Sequence, residues 1–113
     1  MTAPSGDATD VVLALSTAPD AETAERIARV LVDERLVACT SLVPGLVSVY
    51  RWQGEVQRDS EVLLLMKTRR ERVPQLKERF SQLHPYQIPE LVVTEVVDGL
   101  EPYCAWVRAE TDG

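Results

Sequence analysis

The sequence predicts an α+β domain of the ferredoxin-like class, a split βαβ sandwich with a four-stranded antiparallel sheet. Two helices are expected on one face of this sheet, followed by a short C-terminal helix. The main observation is the order of periodic segments: strand, helix, strand, strand, helix, strand and a helical tail. The length of 113 residues suits one domain, with residues 1–9 as a disordered tail and residues 10–113 as the folded unit.

The first strand and the first helix have the clearest signals. The run VVLALST (11–17) is continuously apolar and of strand length, which is typical of a strand covered on both faces. Pro19 and Asp20 mark the start of a helix. Apolar residues then recur at the spacing of one helical stripe, at Ala24, Ile27, Ala28 and Leu31.

The middle of the chain predicts a long, bent hairpin. Residues 36–52 have strand character and are interrupted by the Pro-Gly pair at 44–45, where a bulge or sharp bend is expected because proline cannot donate to a ladder. The Gln-Gly pair at 53–54 predicts a tight turn. The run EVLLLMKT (61–68) is then the partner strand.

The second half of the chain predicts a helix, a stiff connector, a fourth strand and a last helix. Thr68 and Glu71 have the spacing of a capping box that opens the second helix. The connector HPYQIP (84–89) contains two prolines, which exclude a helix interior and favour extended geometry. The run ELVVTEVV (90–97) is the fourth strand, and Pro102 begins the last helix.

Apolar residues on both faces of the predicted sheet indicate an oligomer. The two helices cover one face only, yet both alternating sets of the third strand are apolar, namely Leu63 and Leu65 against Val62, Leu64 and Met66. An uncovered face of this kind is typical of an interaction surface. The long middle strands also offer edges that can pair with a neighbouring copy.

The net charge and the motifs of the chain exclude several classes of partner and function. The chain has 18 Asp and Glu against 12 Lys and Arg, for a formal net charge of −6, and its densest basic stretch (67–72) is short. Nucleic acid is therefore not expected as a partner, and a cationic ligand is more compatible with the negative net charge of the chain. A single His, with no Ser-His-Asp set and no Gly-rich phosphate loop, predicts a protein that is not an enzyme. The absence of a signal-peptide pattern and of a long apolar run predicts a cytoplasmic protein without a membrane partner.

Four short motifs occur along the chain in this order: a Pro-Gly bulge, a Tyr-x-Trp, a Gly turn and a His-Pro-Tyr. The segments that carry them are STAPD (16–20), LVACTSLVPGLVSVYRWQGEV (36–56), EVLLLMKT (61–68), HPYQIPEL (84–91) and YCAWV (103–107). This combination resembles the CutA family of divalent-cation tolerance proteins. The resemblance implies a ferredoxin-like fold in a tight homotrimer around a threefold axis, metal binding, and a role in tolerance of copper and other divalent ions.

The copper site that the resemblance implies uses a Cys on the first strand and two adjacent His residues before Pro-Tyr. These positions hold Ser16, Leu83 and His84, of which only His84 keeps a ligand type. Other groups that could complete a Cu(II) or Zn(II) site in a trimer are Glu61, Glu90 and Cys39. In the alternative interpretation, His84 caps the second helix and Cys39 is a buried core residue. No metal is expected to be required for folding.

A second group of candidates consists of Lys67, Tyr86 and Trp52, with Tyr50 near them. These side chains could line a small pocket between subunits and hold an anion or a polar metabolite. Alternatively, the aromatic residues pack at the trimer interface. Three functions follow from these readings: a metal-responsive trimer that uses the surroundings of His84, a PII-like signalling module that binds a small anion or a protein partner, and a structural scaffold.

Overall fold

The computed structural model of the protein describes residues 10–112, and the predicted tail at 1–9 lies outside them. The order of elements is the predicted one. In the described part of the chain the elements are β1 (Val11–Ala18), α1 (Ala21–Asp33), β2 (Cys39–Trp52), β3 (Glu55–Arg69), α2 (Val73–Leu83), β4 (Val92–Glu95) and α3 (Glu101–Glu110). None of the helices in this range is long and apolar enough to cross a membrane.

The four strands form one antiparallel sheet in the order β2-β3-β1-β4. This is the predicted ferredoxin-like arrangement. Leu15 in β1 lies opposite Leu65 in β3 and Val92 in β4, so β1 and β3 are the central strands and β2 and β4 are the edges. Because directly opposed residues share a face, this register places one set of apolar residues on each side of the sheet.

The helices α1 and α2 cover one face of the sheet and enclose the main core. Ile27 and Leu31 of α1 and Phe80 of α2 pack with Leu64 and Met66 of β3, and all of them are buried. Burying a side chain of this size stabilises the fold by about 1.5–3 kcal/mol. The predicted start of α1 is confirmed, because the Asp20 carboxylate accepts a hydrogen bond from the Thr23 amide at 2.7 Å.

The opposite face of the sheet, called the open face below, carries no helix layer of comparable extent. Its centre is apolar and partly buried, at Leu13, Leu15, Leu63 and Leu65. Val43 and Val92 extend this surface toward the edge strands and are exposed. The two-faced apolar pattern predicted for the sheet is thus present in the fold.

The β2–β3 hairpin is longer than the sequence predicted, because β3 begins at Glu55 rather than at 61. The register shifts between Val43 and Leu46, which confirms the bulge, and Gly45 there has φ of +83°. The turn at 53–54 is also confirmed, with both residues at positive φ as in a type I′ hairpin. The additional strand length matters because it brings Asp59 into the candidate site described below.

The start of α2 differs from the predicted capping box. Thr68 lies within β3, and its hydroxyl donates to the Leu36 carbonyl at 2.8 Å instead of capping a helix. A 3₁₀ turn at Arg70–Arg72 follows, and α2 begins at Val73 with Pro74 in its first turn. The capping-box prediction was wrong because a long-range contact claims the threonine side chain. The fourth strand is also shorter than predicted.

Candidate functional site

A cleft of about 430 Å³ lies between the β2–β3 hairpin and the connector that follows α2. The hairpin register explains half of its lining: Ser48 lies opposite Asp59 and Leu46 lies opposite Glu61, so these residues share one face. That face is continuous with the open face, since Glu61 alternates with the core residues of β3. The lining residues that matter chemically are Tyr50, Trp52, Asp59, Glu61, Tyr86 and Glu90.

Two tyrosine–carboxylate pairs organise the cleft. The Tyr86 hydroxyl donates to Glu61 Oε2 at 2.6 Å, and Glu61 is only 7% exposed. The pKa of Tyr86 is raised above its usual value by burial and by this hydrogen bond. The Tyr50 hydroxyl donates to the Asp59 carboxylate, and this hydrogen bond raises the pKa of Tyr50. Each phenol therefore acts as a donor that holds a carboxylate in place.

His84 is buried next to the cleft, and both of its ring nitrogens are engaged. Nε2 lies 2.7 Å from the Thr17 carbonyl oxygen, and Nδ1 accepts from the Tyr86 amide at 3.1 Å. A carbonyl only accepts and an amide N–H only donates, so the geometry assigns the proton to Nε2. His84 is also the C-cap residue of α2, but its ring contacts β1 instead of the last carbonyls of the helix. The imidazole thus fastens the connector to the sheet.

Two of the predicted site residues lie away from the cleft. Lys67 Nζ donates to Ser41 Oγ at 2.7 Å and lies 3.6 Å from Cys39 Sγ. Cys39 and Lys67 face each other in the β2–β3 ladder, six residues along β3 from Glu61, or roughly 20 Å at the rise of a strand. Cys39 is half-buried on the open face and is not among the residues of the main core, where the alternative interpretation placed it. Lys67 and Cys39 form a separate polar cluster.

The side chains proposed as metal ligands do not come together at one point within the described part of a single chain. Across residues 10–112, no group of three or more His, Cys, Asp and Glu side chains is placed to hold a metal ion. Glu61 and Glu90 share the cleft, but Cys39 lies elsewhere and both nitrogens of His84 have other partners. The described residues of a single chain therefore do not fit a copper or zinc centre. A site shared between subunits stays a prediction.

Sequence reasoning found five of these lining residues and missed Asp59. Asp59 was not considered because the third strand was predicted to begin two residues later, at 61. The signal was nevertheless present: a tight turn at 53–54 sets the register of the hairpin. Extending that register pairs Ser48 with Asp59 and puts Asp59 on the face of Glu61.

Comparisons with known proteins agree with this architecture. The sequence model of the family described as CutA1 divalent ion tolerance protein matches residues 12–110. The divalent-cation tolerance protein CutA of Thermus thermophilus is 52% identical over 97 residues, which cover 86% of this chain and 94% of that protein. Protein CutA of Homo sapiens is 40% identical over 102 residues, and the matched part is 57% of its length.

Solved structures give the same result. The crystal structure of CutA from Xylella fastidiosa has a TM-score of 0.89 and 47% identity, covering 91% of this chain and 99% of that one. The structure of the Cut A1 protein from Thermus thermophilus has a TM-score of 0.87 and 50% identity, covering 89% and 98%. The fold, the family match and the level of identity lead to one conclusion: this chain belongs to the CutA1 divalent ion tolerance protein family.

Proposed function

We propose that the protein works as a homotrimer that contributes to divalent-cation tolerance by holding metal ions at the acidic cleft. The observation that carries this proposal is the charge of the lining: Asp59, Glu61 and Glu90 lie in one cleft, and its described lining includes no Lys, Arg or His. A carboxylate-lined concave site raises the local concentration of cations. The proposal includes the sequence-based expectations of a cytoplasmic location and of no catalytic activity.

The apolar character of the open face supports the proposal of a trimer. Its central leucines and the exposed Val43 and Val92 form an apolar surface on the side of the sheet that the helices α1 and α2 leave uncovered. The edge strands β2 and β4 have unpaired backbone groups that can extend the sheet into a neighbouring copy. Because the cleft opens on the same face, a neighbouring subunit would lie close to its carboxylates and could supply the remaining ligands.

In this proposal the carboxylates of the cleft are the ligands for Cu(II) or Zn(II), and the imidazole has a supporting role. A metal ligand needs a free lone pair, and the lone pair on Nδ1 of His84 accepts the Tyr86 amide. Glu90 is the best candidate for direct contact, because it is exposed, whereas Glu61 is nearly buried beneath Tyr86. A tight site needs three or more ligands, so the complete set must come from more than one subunit.

Calorimetric titration of the assembled protein with Cu(II) and Zn(II) tests this proposal. Glu90→Gln should weaken binding by roughly tenfold, because it removes a charged ligand without changing the shape of the side chain. The matched control is Glu78→Gln, which removes the same charge from an exposed position on α2 and should leave binding unchanged. Binding that survives Glu90→Gln but disappears in His84→Gln would contradict the proposal and restore His84 as the ligand.

A PII-like role in binding a small anion is the second candidate, and Lys67 favours it. Its ammonium group lies on the open face and contacts Ser41 and Cys39, outside the acidic cleft. Phosphate is a suitable probe for this cluster. If the Lys67 cluster binds a small anion, Lys67→Gln should abolish phosphate binding and leave the titration with metal ions unchanged.

A further inference from the structure

The acidic cleft also has aromatic walls, which a metal ion would not use. Trp52 is 36% exposed and Tyr50 is 41% exposed, so each keeps an accessible part of its ring in the cleft. Tyr86 stands on the other side of the cleft, on the connector. Three aromatic side chains thus line the same cleft as the three carboxylates.

Two of these aromatic residues are held in position before any ligand arrives. Tyr86 is fixed by its hydrogen bond to Glu61 and by contact with the His84 ring, whose centroid lies 4.6 Å from its own. Tyr50 is fixed by its hydrogen bond to Asp59. A preorganised wall lowers the entropic cost of binding.

The lack of a converging group of metal ligands among the described residues bears on the kind of cation that one chain can hold. A metal ion needs three or more donor atoms that converge at about 2 Å from one point, and the described residues provide no such group. An organic ammonium ion has no such requirement, because its charge is spread over several groups. It is attracted to the faces of Trp and Tyr rings and to nearby negative charge without direct coordination.

We propose that this cleft binds a small organic ammonium ion between Trp52, Tyr50 and Tyr86, with Asp59, Glu61 and Glu90 supplying the negative potential. The proposal rests on the role of the cleft as a cation site and specifies a different class of cation. The volume of about 430 Å³ is in the range of small-molecule sites and admits a trimethylammonium group with a short substituent.

Choline chloride and its neutral isostere 3,3-dimethylbutan-1-ol test the proposal, because they have nearly the same shape and differ in charge. Both are titrated into the assembled protein by calorimetry at ionic strength matched with sodium chloride. Choline should bind at least about tenfold more tightly than the alcohol. Equal binding of the two, or no binding of either, overturns the proposal.

Variants locate the binding. Trp52→Leu should weaken choline by about tenfold while leaving the alcohol within about twofold, because leucine keeps the apolar contact and removes the ring face. Glu90→Gln should weaken choline by roughly three- to tenfold, and the control Glu78→Gln should have no effect. Choline binding that both Trp52→Leu and Glu90→Gln leave unchanged would place the ligand outside the cleft and overturn the proposal. The circular dichroism spectrum and sedimentation of each variant verify folding and assembly.

A parallel titration with Zn(II) separates this inference from the proposed function. Zinc binding without choline binding overturns the inference and leaves the metal role standing. Choline binding without zinc binding supports the inference and contradicts the metal role. If both bind, competition between them shows that they share the cleft, whereas independent binding places the metal elsewhere.

Discussion

The His84 ring joins the connector after α2 to the end of β1 through a 2.7 Å contact between Nε2 and the Thr17 carbonyl oxygen. The same ring accepts from the Tyr86 amide, so one side chain sets the path of the chain on both sides of Pro85. Tyr86 then reaches Glu61 across the cleft. The position of the candidate site therefore depends on a buried histidine that is not among the residues lining the cleft.

His84→Ala should lower the free energy of unfolding by about 2–3 kcal/mol. The change leaves the Thr17 carbonyl and the Tyr86 amide without their partner and creates a cavity. His84→Gln should lose less, because its amide can donate at about the reach of Nε2. Urea denaturation at a fixed protein concentration measures both variants, and equal losses for Ala and Gln would show that the hydrogen bond to Thr17 contributes little.

Tyr86→Phe should destabilise the protein by about 1 kcal/mol near neutral pH, since the nearly buried Glu61 loses its donor. The pKa of Tyr86 is raised by folding, so its contribution is fully present below the unfolded pKa of about 10 and is lost as the pH rises further. The difference in stability between wild type and Tyr86→Phe should therefore shrink above about pH 10. Denaturation across this range measures it, and a difference independent of pH would contradict the assignment.

Thr111→Val should lower the free energy of unfolding by about 1–2 kcal/mol. Thr111 is buried just after α3, its hydroxyl accepts from Arg69 Nε at 3.1 Å, and its carbonyl accepts from Arg72 Nε at 2.8 Å. Valine keeps the shape and removes the acceptor from a guanidinium group that is largely buried. Thr111→Ser keeps the hydroxyl and is the matched control, so thermal denaturation should show a smaller loss for serine. A serine variant as unstable as the valine variant would show that packing matters more than the hydrogen bond.

Leu65→Lys should dissociate the proposed trimer. Leu65 lies at the centre of the open face opposite Leu15, where a neighbouring copy would bury it, and an unpaired charge in a buried interface is strongly unfavourable. Val32→Lys is the control, because Val32 is exposed on α1 on the other side of the sheet. Sedimentation of the control should give about three times the chain mass of 12.6 kDa, and Leu65→Lys should approach the mass of one chain. An unchanged mass for Leu65→Lys would show that the open face is not the interface.

Local signals predicted the elements that depend on local contacts. The apolar stripe of α1 and its Asp20 cap were predicted because they involve residues three or four positions apart. The turn at 53–54 was predicted because Gly54 adopts positive φ without steric cost and stands between two runs of strand character. The capping box at Thr68 failed for the opposite reason, since a carbonyl 32 residues away accepts its hydroxyl proton.

The candidate site likewise has features that the sequence predicted and features that depend on contacts between distant residues. Aromatic and acidic residues on the hairpin and the connector were identified from the sequence, and Tyr50, Trp52, Glu61, Tyr86 and Glu90 do line one cleft. Cys39 and Lys67 were grouped with them but lie at the other end of the ladder. Residue type identified the chemistry, whereas distance along β3 determined which residues meet.

The sequence by itself determined the fold class, the order of the elements and the two apolar faces of the sheet, because hydrophobic periodicity and turn residues act over a few positions. Only the tertiary structure decided that both nitrogens of His84 bond to the backbone and that Asp59 joins Glu61 and Glu90 in one cleft. Those relationships depend on strand register and on contacts between distant segments, which follow from how the helices and the sheet pack together and have no local pattern.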